Sequence, residues 1–215
     1  MKERIMEINK FEAIESLGHL LAYYKSDLEY IAQFRLFIIN KTSSDDYLTM
    51  ENSGFQKFLN DFKVARNIKK EKVKDLMILI KNSKFLEDAK NVDSFAEEMK
   101  KEKITHDNKV MTVLASKIFF LYQPEKVIPM DKFNKISLGL KENSYSDFLI
   151  EVNKFIKEHK KILFLYLKKM TDCLIKIENS VNIKMDFEEY RIKRFTDKYL
   201  WVTGRNYKPS KKNSR

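Results

Sequence analysis

The sequence predicts an all-α protein of two packed helical lobes, roughly eight to ten helices in all, and three observations carry that expectation. Apolar residues recur at intervals of three and four along most of the chain. Only four Gly and three Pro punctuate 215 residues, too few for the many tight turns of a sandwich or barrel. A hydrophobic content of 43% is ample for a buried core.

The elements follow in order. Between Ile8 and Ile39 the apolar positions Phe11, Ile14, Leu17, Leu20, Leu21, Tyr24, Leu28, Ile31, Phe34, Phe37 and Ile38 mark one or two amphipathic helices, with Ser26 and Glu29 placed as a capping box for a second. The polar run from Asn40 to Asp46 reads as a loop. Helices are expected from Gly54 to Arg66 and from Lys70 to Lys81, the latter turning Val73, Leu76, Met77 and Ile80 inward. Asp93 or Ser94 caps a short charged helix ending near Lys103. The span Thr105 to Tyr122 is apolar on a broad face and reads as a central core helix, stopped by Pro124 and Pro129. A short helix from Asp131 to Leu140 closes at Gly139 or the following Asn143. Ser144 and Asp147 then open a helix to about Lys157, and another runs from His159 to Glu178. Asp186 and Glu189 begin a last helix ending at Val202 or Thr203, with Gly204 as its left-handed cap. The expected division is an N-terminal lobe over residues 1–105, a C-terminal lobe over 106–204 and a basic tail over 205–215.

Several function classes fall away. The glycines cannot write GxGxxG or a P-loop, and no Gly-x-Ser-x-Gly elbow exists. His19, His106 and His159 stand apart and Cys173 is the lone cysteine, so neither a metal nor another cofactor is expected. Cys173 sits among Met170, Leu174 and Ile175, which predicts a buried structural thiol in a reducing compartment. Met1-Lys2-Glu3-Arg4 lacks the apolar run of a signal peptide, and no apolar stretch approaches the ~20 residues of a bilayer span, so a cytoplasmic location without membrane contact is expected.

Charge supplies the positive signal. A net charge of +11 attracts phosphate backbones and other polyanions before any specific contact forms. Seven Arg stand among 42 basic residues, and a surplus of Lys favours diffuse attraction over forked base contacts. Along the last helix Arg191, Arg194, Lys198 and Arg205 follow helical steps with Tyr190, Trp201 and Tyr207 interleaved, and the tail adds Lys208, Lys211 and Lys212. Cations of this kind grip phosphates while aromatics stack bases, although aromatics at helical spacing serve equally as core. The expected function is therefore non-catalytic binding of DNA or RNA. A helical protein-interaction or regulatory protein of a bacterial defence, phage or toxin system is the alternative from another class, with its many Phe and Tyr supplying an exposed patch.

One junction points to chemistry. Ser116-Lys117-Ile118 lies in the apolar helix, Gln123-Pro124-Glu125 leaves it, and Pro129-Met130-Asp131 delivers a carboxylate to the next helix start. Downstream stand Asp197-Lys198-Tyr199-Leu200-Trp201 and Gly204. Over residues 106–204 this pattern resembles the helix-hairpin-helix DNA glycosylase superfamily and related bacterial proteins. The resemblance implies that Asp131 would stabilise the sugar cation developing on a flipped nucleotide, and that Lys117 or Lys109 would be the nucleophile of a bifunctional enzyme. It does not extend to the hairpin, because the segment from Lys103 to Lys109 contains no Gly. Any Asp behind a Pro and ahead of a helix also serves as an ordinary N-cap.

Overall fold

The computed structural model describes residues 7–207 and is all-α, with ten α-helices and five short 3-10 turns among those residues. The first helix, α1 (Lys10–Ile38), is opened by Asn9, whose side chain accepts from the backbone N–H groups of Phe11 and Glu12. It buries Leu17, Leu20, Tyr24, Leu28, Ile31 and Phe34 at three- and four-residue spacing. No second helix starts at Ser26. Its hydroxyl donates back to the Tyr23 carbonyl (2.9 Å), satisfying the side chain inside a continuous helix.

Two short helices follow, α2 (Ser44–Thr49) and α3 (Phe55–Asp61), so Asp45 and Asp46 belong to a first helical turn and not to a loop. Beyond α3 the chain turns through Ala65–Asn67 and Lys70–Lys72 before α4 (Val73–Asn82), which buries the predicted Val73, Leu76, Met77 and Ile80. The next helix, α5 (Val92–Lys101), begins before Asp93. The carboxylate of Asp93 instead caps α8 (Tyr145–Lys168) from across the fold, accepting from the backbone N–H groups of Tyr145 (2.9 Å) and Ser146 (3.1 Å). Asp93→Ala is expected to cost about 1 kcal/mol in denaturant unfolding, the usual scale of a lost N-cap. The intact Ser144 cap on the Asp147 N–H should hold the first turn of α8 in place.

The central helix is shorter than its apolar pattern predicts: α6 spans Thr112–Tyr122. Residues 105–111 are spent on a turn in which Asp107 (φ 53°) and Asn108 (φ 49°) are left-handed, Thr105 donates its hydroxyl to the Lys109 carbonyl and Ile68 pairs with Thr105 in an antiparallel bridge. Asp and Asn tolerate that conformation better than other side chains do. The remaining helices are α7 (Lys132–Ser137), α9 (Thr171–Asn179) and α10 (Phe187–Asn206). The expected break near Lys157 is absent and falls at Lys169–Met170 instead, because nothing within 145–168 interrupts the inward positions Phe148, Val152, Phe155, Leu163 and Leu167.

Four helices end in one closure, a left-handed residue whose N–H and its successor's N–H bond back into the last turn. The left-handed residues are Asn40 after α1, Lys63 after α3, Lys103 after α5 and Gly139 after α7. At α3 the Lys63 N–H reaches the Asn60 carbonyl and the Val64 N–H the Leu59 carbonyl, both at 2.9 Å. Glycine scarcity therefore conceals three of these stops.

The core is one contiguous cluster running from Ala13 to Leu200, including residues on both sides of position 105. Helices α1 and α10 pack on each other at its centre, α7 lies along α10, α6 packs between α1 and α5, and α8 covers α10, α1 and α5. Gly204 does not end α10. It lies inside the helix, where α7 passes so close that a Cβ would overlap the Phe133 carbonyl, sitting 2.6 Å from its carbon.

Cys173 is exposed on α9, contrary to the expected buried thiol. Leu174 and Glu178 are the buried residues of that nine-residue helix, and Cys173 steps off their face. No helix among the described residues is long and apolar enough to cross a membrane.

Candidate functional site

The steps that place Arg194, Lys198, Trp201 and Arg205 on one face of α10 are matched on α1 by Glu15, His19, Tyr23 and Asp27, each four residues from the last. The helices run antiparallel and the two rows meet rung by rung. Arg205 pairs with Glu15. Trp201 makes an edge contact with His19 at 5.2 Å. The Lys198 ammonium lies 4.9 Å from the centre of the Tyr23 ring, and Arg194 reaches Asp27 at 2.7 Å.

Arg194 is buried, with its side chain 4% exposed. It bridges Asp27 and Asp197 (2.5 Å), and its guanidinium lies 4.9 Å from the centre of the Phe120 ring. Burial opposes its charge, but the two carboxylates outweigh that and hold its pKa above the ordinary value. Asp197 also accepts from the Asn134 side-chain amide at 2.7 Å. Lys198 sits 3.8 Å from Asp197, and burial together with the nearby Arg194 charge lowers its pKa.

One turn before Arg194, Arg191 forms a forked pair with Glu178 of α9, and Glu178 also accepts from the Tyr24 hydroxyl at 2.5 Å. The Arg205 guanidinium lies 4.8 Å from the centre of the Trp201 ring, while Phe133 meets that ring edge-on at 5.8 Å. The row expected as an open phosphate grip is thus engaged within the fold: Arg191, Arg194, Lys198 and Arg205 each face a carboxylate, and the neighbours of Trp201 belong to the same chain. Lys208, Lys211 and Lys212 lie outside the described residues.

The two residues of the Pro-bounded junction come together at the same cluster. Asp131 caps α7, accepting from the N–H groups of Phe133 (2.8 Å) and Asn134 (2.9 Å). Burial raises its pKa, and the negative charge of Asp197 adds to the rise. Lys117 donates to the Phe62 carbonyl at 2.7 Å, a carbonyl at the C-terminus of α3 beside left-handed Lys63. A cation suits that helix end. Burial pushes the Lys117 amine down to about 8, against the opposing pull of the Asp131 and Asp197 charges. The turn through Pro124 and Pro129 therefore returns Asp131 into the electrostatic neighbourhood of Lys117. Ser116 holds this turn by accepting from the Met130 N–H at 3.0 Å.

Two grooves lie away from this cluster. One of about 480 Å³ runs between α8, α9 and α10 along Lys161, Phe164, Leu165, Lys168 and Arg191. The other, about 500 Å³, lies beside Asp93, Val110 and Asn143. Among the described residues no three His, Cys, Asp or Glu side chains gather in a way that could hold a metal ion.

Reading α10 alone misses the whole α1 row. Its signal was present in the four-residue spacing of Glu15, His19, Tyr23 and Asp27, but only packing shows that this row opposes the cations. Comparison of the chain with protein-family models, curated proteins and solved structures finds no match, so the resemblance around Asp131 rests on its own residues.

Proposed function

We propose that this protein binds nucleic acid through its surface charge, without chemistry of its own. The observation that carries this is where the surplus charge resides. The α10 cations are balanced by carboxylates within the fold, as are Lys72, Lys74, Lys100 and Lys101 by Asp75, Asp45, Glu97 and Glu98. Part of the net charge of +11 is therefore carried by other basic residues, among them the exposed Lys157, Lys160, Lys161 and Lys168, which can meet an external polyanion. Lysine surplus supports backbone contact without base reading. The protein should be retained on immobilised DNA and RNA at low salt, with an affinity that falls steeply as salt rises. Retention that ignores salt defeats the reading, as does co-purification with one stoichiometric protein partner and no nucleic-acid retention.

A second reading has its own support. Lys117 and Asp131, the amine and carboxylate implied by the glycosylase resemblance, share one polar cluster, and the amine's lowered pKa favours nucleophilic chemistry. Asp131→Asn separates this role from capping, because Asn is as good an N-cap as Asp. On the catalytic reading this variant loses base release from DNA while its melting temperature holds. Base release equal to that of the wild type rules Asp131 out of catalysis.

A further inference from the structure

Part of the unbalanced charge lies on α8, where five lysines stand against Asp147, Glu151 and the exposed Glu158. Lys157, Lys160, Lys161 and Lys168 are all exposed, and none has a carboxylate partner among the described residues. From His159 to Thr171 the chain carries no acid at all. At 100° per residue these four side chains lie within about 100° of one another around the helix, and from Lys157 to Lys168 they span about 16 Å of its axis. Lys161 and Lys168 also line the groove against α10, where Glu188 is the acid on the rim. A helix C-terminus favours cations, which accounts for Lys168 in the last turn. It does not account for Lys157, Lys160 and Lys161, two to three turns earlier.

We infer that this face of α8 is the surface that binds the phosphate backbone of a nucleic-acid duplex. The assignment rests on the nucleic-acid reading above and gives it a location that the α10 row does not provide. A patch of ammonium groups spread along about 16 Å of helix can meet successive phosphates, which on each strand carry one charge per ~3.4 Å of duplex axis. It reads no sequence, because lysine is a point charge without the planar fork that matches base edges. An anionic membrane fits less well. A surface-lying membrane helix turns its apolar face outward, whereas α8 commits Tyr145, Phe148, Val152, Phe155, Leu163 and Leu167 to the core. Its exposed apolar residues, Ile150 and Leu165, are separated along the ridge by the lysines.

The test compares two variants that lose the same charge. One carries Lys157→Gln, Lys160→Gln, Lys161→Gln and Lys168→Gln. The control carries Lys84→Gln, Lys90→Gln, Lys141→Gln and Lys184→Gln, all exposed and scattered. Binding of a short labelled DNA duplex, a matching RNA duplex and phosphatidylglycerol vesicles is measured across a salt series, after circular dichroism shows both variants folded. If all four lysines contact phosphate, they contribute a loss of roughly 100-fold in duplex affinity between about 50 and 200 mM salt. The α8 variant should flatten the log–log salt slope by about 3–4, at ~0.9 per phosphate contact, while the control keeps the wild-type slope. Equal weakening of both variants, or wild-type binding by the α8 variant, overturns the surface and leaves nucleic-acid binding standing. Vesicle binding without duplex binding, or no binding of either duplex by the wild type, overturns both.

Discussion

Arg194→Met will cost the fold about 3–5 kcal/mol, the range observed when one partner of a buried ion pair is removed. Among the described residues the guanidinium is the hydrogen-bond and ion-pair partner of the Asp27 carboxylate, and that side chain is 3% exposed. Asp197 keeps its bond from Asn134 and its neighbour Lys198, so Asp27 is the group left stranded. Burial of an unpaired charge is the costly outcome, more than the loss of the pair's own attraction. Adding Asp27→Leu to Arg194→Met should therefore recover part of the loss, despite removing a second polar group. Urea unfolding of the single and double variants decides the matter. A single-variant loss below about 1 kcal/mol, the scale of exposed pairs, would mean that water reaches the cluster.

Gly204→Ala is the second large effect. In an unobstructed helix the change would stabilise by roughly 1 kcal/mol. Here the new methyl meets the backbone of α7 at Phe133 and the Ser137 hydroxyl 2.8 Å away, and a carbonyl cannot rotate aside as a flexible side chain can. Relief requires α7 to move off α10, so a net loss of about 1–3 kcal/mol is expected. Because α7 is capped by Asp131 and contributes Asn134 to Asp197, the displacement should also disturb the polar cluster. Thermal unfolding measures the loss. A variant as stable as the wild type would show that the two helices approach less closely than described.

Much of the architecture was legible because its causes are local. Helical periodicity identified the long elements, and Ser144, Asp131 and Asp186 cap the helices their positions predict. The errors have particular physical sources. Ser26 satisfied its hydroxyl within α1 instead of starting a helix. Asp107 and Asn108 took left-handed conformations that glycine counting does not anticipate, which shortened α6 at its start. Asp93, read as a local cap, serves a helix that begins 52 residues later.

The candidate site divides along the same line. Lys117, Asp131 and the α10 cations could be named individually from their motif and spacing. Whether those cations face water or carboxylates could not, because Arg194 meets Asp27 across 167 positions of chain and Arg205 meets Glu15 across 190.

By itself the sequence determined that this protein is helical, rich in positive charge and equipped with a carboxylate at a Pro-bounded helix start, since periodicity, composition and capping act within a few residues. Only the tertiary structure decided which cations are neutralised and which remain free. That balance is set by the antiparallel meeting of α1 and α10 and by the outward face of α8, where electrostatic pairing depends on distances in space that no local spacing encodes.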